Sequence, residues 1–241
     1  GRIERSGRES IGMTVYGTTT PGCMKAKAYL ESKGFEVVTF HPNGTGGRAM
    51  EEMIEEGFFD GVLDMTTHEL MDELVGGLHR AGPSRLEAAG RRGIPQVVAP
   101  GGIDFIISGP EKLLPPEYKS RRYIVHNPSI TLVRASCEEM KRIGKVVASK
   151  LNQAKGPTIA MVPSRGFSYP NRKGEPLYDE EGNRAFLLSL KENIKGVEVI
   201  EIDAHINDPE FATSAAQMME RLLSEHRKMK IVYGESVKKP V

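Results

Sequence analysis

Residues 40–52, Phe-His-Pro-Asn-Gly-Thr-Gly-Gly-Arg-Ala-Met-Glu-Glu, constrain the fold more than any other stretch of this chain. A β-branched apolar run ends there in a glycine-rich turn that opens directly into an amphipathic helix. A strand that feeds a helix in this way pairs with a parallel neighbour through a crossover, rather than with an antiparallel one through a hairpin. The turn also reads as an anion cradle. Its glycines let backbone N–H groups approach a ligand closely, the helix N-terminus adds partial positive charge, and Arg48 is placed to pair with a carboxylate or phosphate.

The same alternation recurs along the chain. Strands are predicted at 11–16, 35–40, 61–64, 95–99, 123–125, 158–162 and 197–202. Between them the apolar period predicts helices at 20–32, 49–56, 67–74, 83–92, 137–151 and 186–194, with a last helix starting at Asp208. Thr66-Thr67-His68-Glu69 and Ser136-Cys137-Glu138-Glu139 both have the spacing of a capping box. The stretch 104–122, punctuated by Gly109-Pro110 and Pro115-Pro116, reads as an irregular loop or lid, and the polar excursion 169–182 as a second cover. Residues 1–10 read as a linker or leftover outside the core, 11–225 as a single domain and 226–241 as a tail. The expected architecture is an open, doubly wound, mostly parallel α/β sheet of Rossmann-like type, with the turns at Gly17, Gly46, Thr66 and Gly101 along one edge. A closed eight-fold barrel would need one more strand–helix pair than the pattern supplies.

Composition narrows the function classes. The chain has 241 residues, 39% of them hydrophobic, and its 33 basic and 32 acidic residues leave a net charge of +1. No basic footprint points to nucleic acid, and no long apolar run points to a membrane span. Two cysteines are too few for a disulfide framework, so a cytoplasmic, reducing setting is expected. No histidine or cysteine spacing suggests a metal.

Ligands of such sheets collect where strands end, so the hydroxyls and N–H groups of Thr18, Thr19, Gly44, Thr45, Gly46, Gly47, Arg48, Thr66 and Thr67 form the candidate binding set. Neither phosphate motif is complete. The turn at 17–22 has P-loop spacing, but Cys23-Met24 stand where lysine and a hydroxyl residue are required. Gly44-Thr45-Gly46 begins a dinucleotide fingerprint but follows the second strand and ends on Ala49. The plain alternative is that these glycines only permit tight turns. His41, His68, His126 and His205 all fall near strand ends. Of these, His41, His126 and His205 are the candidate acids or bases, with capping or a surface role as the plain alternative for each. Ser164 and Ser168 do not form a nucleophile elbow. Cys23 at a helix start is either an activated thiol or a small buried side chain.

At GTTTPGC, HPNGTGGRAMEE, GVLDMTTHEL, GIPQVVAPGGIDF, VHNPSITLVR and EVIEIDAHINDPEF the chain resembles the ATP-binding-domain family that includes the tomato mosaic virus resistance protein, over residues 11–223. Full-length members of that family have two Rossmann-like halves. The resemblance implies that this chain is the second half, with an N-terminal partner domain, an open α/β sheet and a nucleotide among the candidate ligands. Related plant and fungal segments are fused to a barrel resembling phosphoenolpyruvate hydrolases, which implies small-acid metabolism.

Two functions are therefore expected. One is binding of a small anionic ligand, a nucleotide included, at the glycine-rich turns. The other is a hydrolase or lyase that uses histidine acid–base catalysis on a carboxylated substrate held by Arg48. An interaction module with no catalysis is the third class. Cofactor and oligomeric state are not readable from the sequence, and a homo-oligomer is compatible with it.

Overall fold

In a computed structural model, which describes residues 7–232, six parallel strands form the spine. In chain order these are β1 (Ser10–Thr14), β2 (Glu36–Phe40), β3 (Gly61–Thr66), β4 (Gln96–Gly101), β8 (Thr158–Pro163) and β9 (Glu198–Ile202), arranged β2-β1-β3-β4-β8-β9. Register is fixed by pairs such as Ile11 with Val37, Gly12 with Val62, and Leu63 with Val97. The first crossover leaves β1 in one direction and the second returns past it, so the winding reverses between β1 and β3. The crevice of such a sheet opens at that reversal, outside the carboxyl ends of the strands.

Strand residues alternate between the two faces of the sheet, as the pleat requires, and fill three clusters. Ile11, Met13, Leu63, Met65, Val97 and Met161 pack against α1 (Thr20–Ser32) and α8 (Pro209–Val232). Val98, Ala160 and Val162 face α6 (Cys137–Leu151) and α7 (Glu180–Asn193), together with α3 (Glu69–Val75). Val62 faces α2 (Thr45–Glu55) and α4 (Ala88–Arg92). The doubly wound α/β sheet expected from the alternation is the fold.

Several local expectations are corrected. The stretch taken for an irregular loop begins with β5 (Phe105–Ser108) and then, past the short helix α5 (Pro116–Lys119), leads into β6 (Tyr123–Asn127) and β7 (Ile130–Arg134). These three strands make a small antiparallel sheet of order β5-β7-β6, which is inserted between β4 and α6. An apolar run of four residues is too short for its period to be read. Helix α4 starts at Ala88 rather than at Pro83, after Leu86 adopts a φ of +71°. Helix α7 starts at Glu180, capped by the Asp179 side chain, rather than at Phe186. Helix α8 runs through Glu225 to Val232.

The two capping boxes part ways. At α6 the reciprocal bonds form, Glu139 N–H to Ser136 Oγ at 3.2 Å and Ser136 N–H to the Glu139 carboxylate at 2.7 Å. At α3 no side chain caps the helix, because each member of the box is drawn elsewhere. Thr66 Oγ1 bonds Thr19 Oγ1, Thr67 Oγ1 donates to Ala99 O, and Glu69 reaches across to α2. Among the described residues no helix is long and apolar enough to cross a membrane.

Candidate functional site

Four rings meet at the reversal of winding. Tyr16, just past β1, stacks on His41, just past β2, with centroids 5.0 Å apart and planes 27° from parallel. It also lies 4.3 Å from His68, past β3, and 5.9 Å edge-on from His79, in the loop after α3. Two polar contacts converge on His79 Nδ1: the Tyr16 hydroxyl and His68 Nε2, each at 3.4 Å. His68 is fully buried and its Nδ1 has no partner. A proton on His68 Nε2 is therefore the tautomer that leaves no buried N–H unmet. His41 is exposed and its Nδ1 lies 3.2 Å from the Val15 carbonyl. That carbonyl can only accept, so the Nδ1–H points at it and the lone pair sits on Nε2.

The surroundings shift these groups. Burial, and then the neighbouring His79, Arg85 and His41 charges, hold His68 well below the usual imidazole range. Burial and His41 lower His79. Burial, then the Asp72 and Glu69 carboxylates, push the Tyr16 phenol up to about 12. Asp72 lies beneath the cluster, where its carboxylate accepts the N–H groups of His79 at 2.8 Å and Ile107 at 3.0 Å. Burial outweighs those two bonds and raises Asp72 to about 7. At pH 7 His68 and His79 are thus neutral imidazoles beside a neutral phenol, and the cluster opens to solvent at His41.

One buried arginine ties together the elements that carry the rings. Arg85, fully buried, donates from Nε to Glu69 at 2.8 Å, to both oxygens of Asp64, to Glu51 at 3.3 Å and to the Thr66 carbonyl at 3.3 Å. Asp64 in turn accepts the Thr14 hydroxyl at 2.7 Å, which reaches β1. Glu69 accepts the N–H groups of Gly44 at 2.6 Å and Gly47 at 3.3 Å, which reaches the turn after β2. Glu51 accepts the N–H groups of Leu86, Glu87 and Ala88, which fixes the end of the loop bearing His79.

The expected cradle residues are where the sequence placed them, at the carboxyl edge, but their polar groups are largely engaged internally. The first N–H groups of α2 are met by Glu69 and, at Gly46, by Asn43 Oδ1, which also takes the Thr45 hydroxyl. Gly22 of α1 is met by Asn207 Oδ1 at 3.1 Å. Packing accounts for the glycines: a Cβ on Gly47 would overlap the Glu69 carboxylate, and one on Gly46 the His41 carbonyl. Gly44 combines a φ of +95° with Arg80 O only 2.8 Å from where a Cβ would sit. Thr19, Thr66 and Thr67 are buried, with their hydroxyls bonded inside the protein. Thr18 Oγ1 is buried without a partner, and its carbonyl accepts from Tyr169 and Asn207. Arg48 is exposed on α2 and forms no ion pair among the described residues.

Of the three histidines singled out, His41 joins the cluster. His126 lies exposed on β6 in the antiparallel sheet, not at the end of a parallel strand. His205 is buried with both ring nitrogens engaged, Nε2 to Ser168 O at 2.9 Å and Nδ1 to Asn207 N–H at 3.1 Å and Arg172 at 3.0 Å. Its role there is to tie the loops after β8 and β9. Ser168 is buried and donates to Asp104. Cys23 is buried, and burial raises its thiol to about 11, as suits a small core side chain. Tyr16, His79 and Arg85 were not singled out as site residues from the sequence, and Glu69 was noticed only as a member of its capping box. His68 was noticed only as one of four histidines near strand ends. Among the described residues no cluster of His, Cys, Asp and Glu is arranged to hold a metal ion.

The pattern matches a known family over residues 8–223, described as the C-terminal domain of uncharacterised protein family UPF0261. The chain belongs to that family. A UPF0261 protein of Clostridium tetani is 46% identical over 217 residues, covering 89% of this chain and 54% of that protein. The ToMV resistance protein Tm-1(GCR237) of Solanum lycopersicum is 34% identical over 246 residues, covering 98% of this chain and 33% of its own length. A UPF0261 protein of Brucella melitensis is 36% identical over 217 residues, covering 89% of this chain and 52% of that protein. This UPF0261 domain thus spans about half the length of these bacterial relatives and a third of the plant one. The bacterial relatives are about twice as long, which leaves room for another domain.

Proposed function

We propose that this UPF0261 domain carries an acid–base site for a small molecule at the reversal of its winding, with Tyr16, His41, His68 and His79 as its proton-handling groups. One observation carries the reading: three imidazoles and a phenol from four separate loops converge in mutual contact at the one place where an open α/β sheet forms a crevice. A fully buried imidazole with an unpartnered nitrogen, as at His68, is costly to hold.

The roles follow from the hydrogen bonds. His41 Nε2, with its lone pair toward solvent, is the base that a substrate meets first. His79, which faces both Tyr16 and His68, is the partner through which a proton passes to or from the interior. The neutral Tyr16 phenol is a donor at every physiological pH. This supports the hydrolase or lyase class on a small acid over binding at the glycine turns, because the N–H groups of Gly22, Gly44, Gly46 and Gly47 already have internal acceptors. In longer relatives the site would work beside a further domain.

A screen of hydrolase and lyase activities on small carboxylic acids, followed by His41→Gln and His79→Gln, tests the reading. Each variant is expected to lower kcat about 10²–10⁴-fold with the melting temperature unchanged. In the parent, turnover should fall on the acid side as His79 charges, with that midpoint below the ordinary value of about 6.5. Full turnover in both variants would remove the cluster from the chemistry.

A further inference from the structure

The rings can move a proton, but a substrate also needs an anchor, and the charges around the crevice identify one. The helix starts offer an incoming anion few free donors, because Glu69 takes the N–H groups of Gly44 and Gly47, Asn43 that of Gly46 and Asn207 that of Gly22. Arg85 is held by three carboxylates. On the loop after β8, Arg165 is paired with Asp203 and Arg172 with Asp208. Asp72 and Glu69 both accept backbone N–H groups and offer a ligand no acid. That leaves two arginines at this edge unpaired among the described residues, Arg48 on α2 and Arg80, and of the two only Arg80 is next in sequence to His79. Its side chain is exposed and makes no hydrogen bond or ion pair among the described residues, though its charge is close enough to favour ionised Asp72.

The backbone holds Arg80 in place. Gly76 and Gly77 donate to the Asp72 carbonyl, His79 N–H to the Asp72 carboxylate and Gly82 N–H to Glu73, while Arg85 pins the far end of the loop. The Arg80 carbonyl rests against Gly44, so the residue stands over the turn that follows His41.

We propose, building on the acid–base reading, that the substrate of this site is a small oxyanion, a carboxylate or a phosphate monoester, anchored by the Arg80 guanidinium beside His79. A guanidinium matches either group bidentately. An oxyanion bound there sits next to His79 and favours its protonated form, so binding draws a proton onto the ring that faces Tyr16 and His68. The charged and titratable groups around His79 are Tyr16, His41, His68, Glu69, Asp72, Arg80 and Arg85. Only Arg80 among them is both cationic and open to solvent.

The test is a histidine-labelled NMR titration of the whole chain against pH, with malonate, with inorganic phosphate and with neutral malonamide as probes. Malonate or phosphate, but not malonamide, is expected to raise the His79 midpoint, and the stronger of the two identifies which oxyanion the site takes. Arg80→Gln should weaken that probe about ten- to a hundredfold, the worth of a charge-assisted hydrogen bond, while Lys191→Gln, at an exposed residue of α7 paired with Glu201, leaves it unchanged. Retention of the shift in Arg80→Gln, its loss in Arg48→Gln instead, or an equal response to malonamide would each overturn the anchor. So would a silent His79 with every probe. The acid–base reading would still stand or fall separately, on turnover by His41→Gln and His79→Gln.

Discussion

Arg85 shows how much of this site depends on a single side chain. It faces three carboxylates, and the two beyond its own charge are each met by backbone N–H groups, Glu69 at the start of α2 and Glu51 at the start of α4. Arg85→Met would strand those acids in the core. The expected cost is about 3–5 kcal/mol in a denaturant melt, the range for removing one partner of a buried ion pair. A loss under about 1 kcal/mol would mean that the acids find other partners or take up protons. None of this was legible beforehand, because the partners stand 16, 21 and 34 residues away and follow no period. The histidines were half legible. His41 could be picked out because it directly follows a strand, whereas His79 sits in a glycine-rich loop with no pattern of its own. His205 looked equivalent to His41 from its place after a strand, and only the contacts to Ser168 and Asn207 separate the two.

At the level of elements, two glycines that the sequence treats alike are not alike. Gly17 lies in the turn between a strand and its helix, and Gly47 in the first turn of a helix that follows such a turn. A Cβ on Gly17 would meet nothing within 4 Å, whereas one on Gly47 would run into the carboxylate that Arg85 holds in place. Gly17→Ala should therefore stay within about 0.5 kcal/mol of the parent. Gly47→Ala should lose about 1–3 kcal/mol, as overpacking does, and should also disturb the His41 resonances. Equal melting curves for the two would show that Glu69 can yield. The capping boxes make the same point. Ser136→Ala is expected to cost about 1 kcal/mol because its box is formed. Thr66 belongs to a box of the same spacing that never closes, since Glu69 gains more from two N–H groups and a guanidinium than from its own helix start. Spacing reports what a residue could do locally and is silent about a stronger partner from elsewhere.

Across the whole molecule the parallel sheet was legible and the insert only in part: the strand expected at 123–125 is there, but it is β6 of the antiparallel sheet and not a strand of the main one. Parallel strands separated by helices leave few choices of topology, so the winding followed from the alternation. The small antiparallel sheet is made of short apolar runs between prolines, which carry no period. The titration of the fold is a property at this scale, with two opposed limbs. Asp72 is raised to about 7 in the folded chain against about 3.9 unfolded, so the folded state holds the extra proton between those values and stability falls as pH rises through them. His68, His79 and His205 are lowered, so the unfolded chain binds more protons below about 6.5 and stability falls as pH drops. Asp72→Asn should remove the first limb and leave the second. Melting temperatures between pH 4 and 8 that keep the same shape in the variant would clear Asp72 of that role.

The insert is also mechanically joined to the rings. One oxygen of Asp72 holds the Ile107 N–H of β5 and the other holds the His79 N–H, while Leu78 N–H bonds the Ile107 carbonyl. Strand β5 and the His79 loop are thus yoked through a single carboxylate. A displacement of the three-stranded sheet would therefore reach the His79 loop through those bonds before any other.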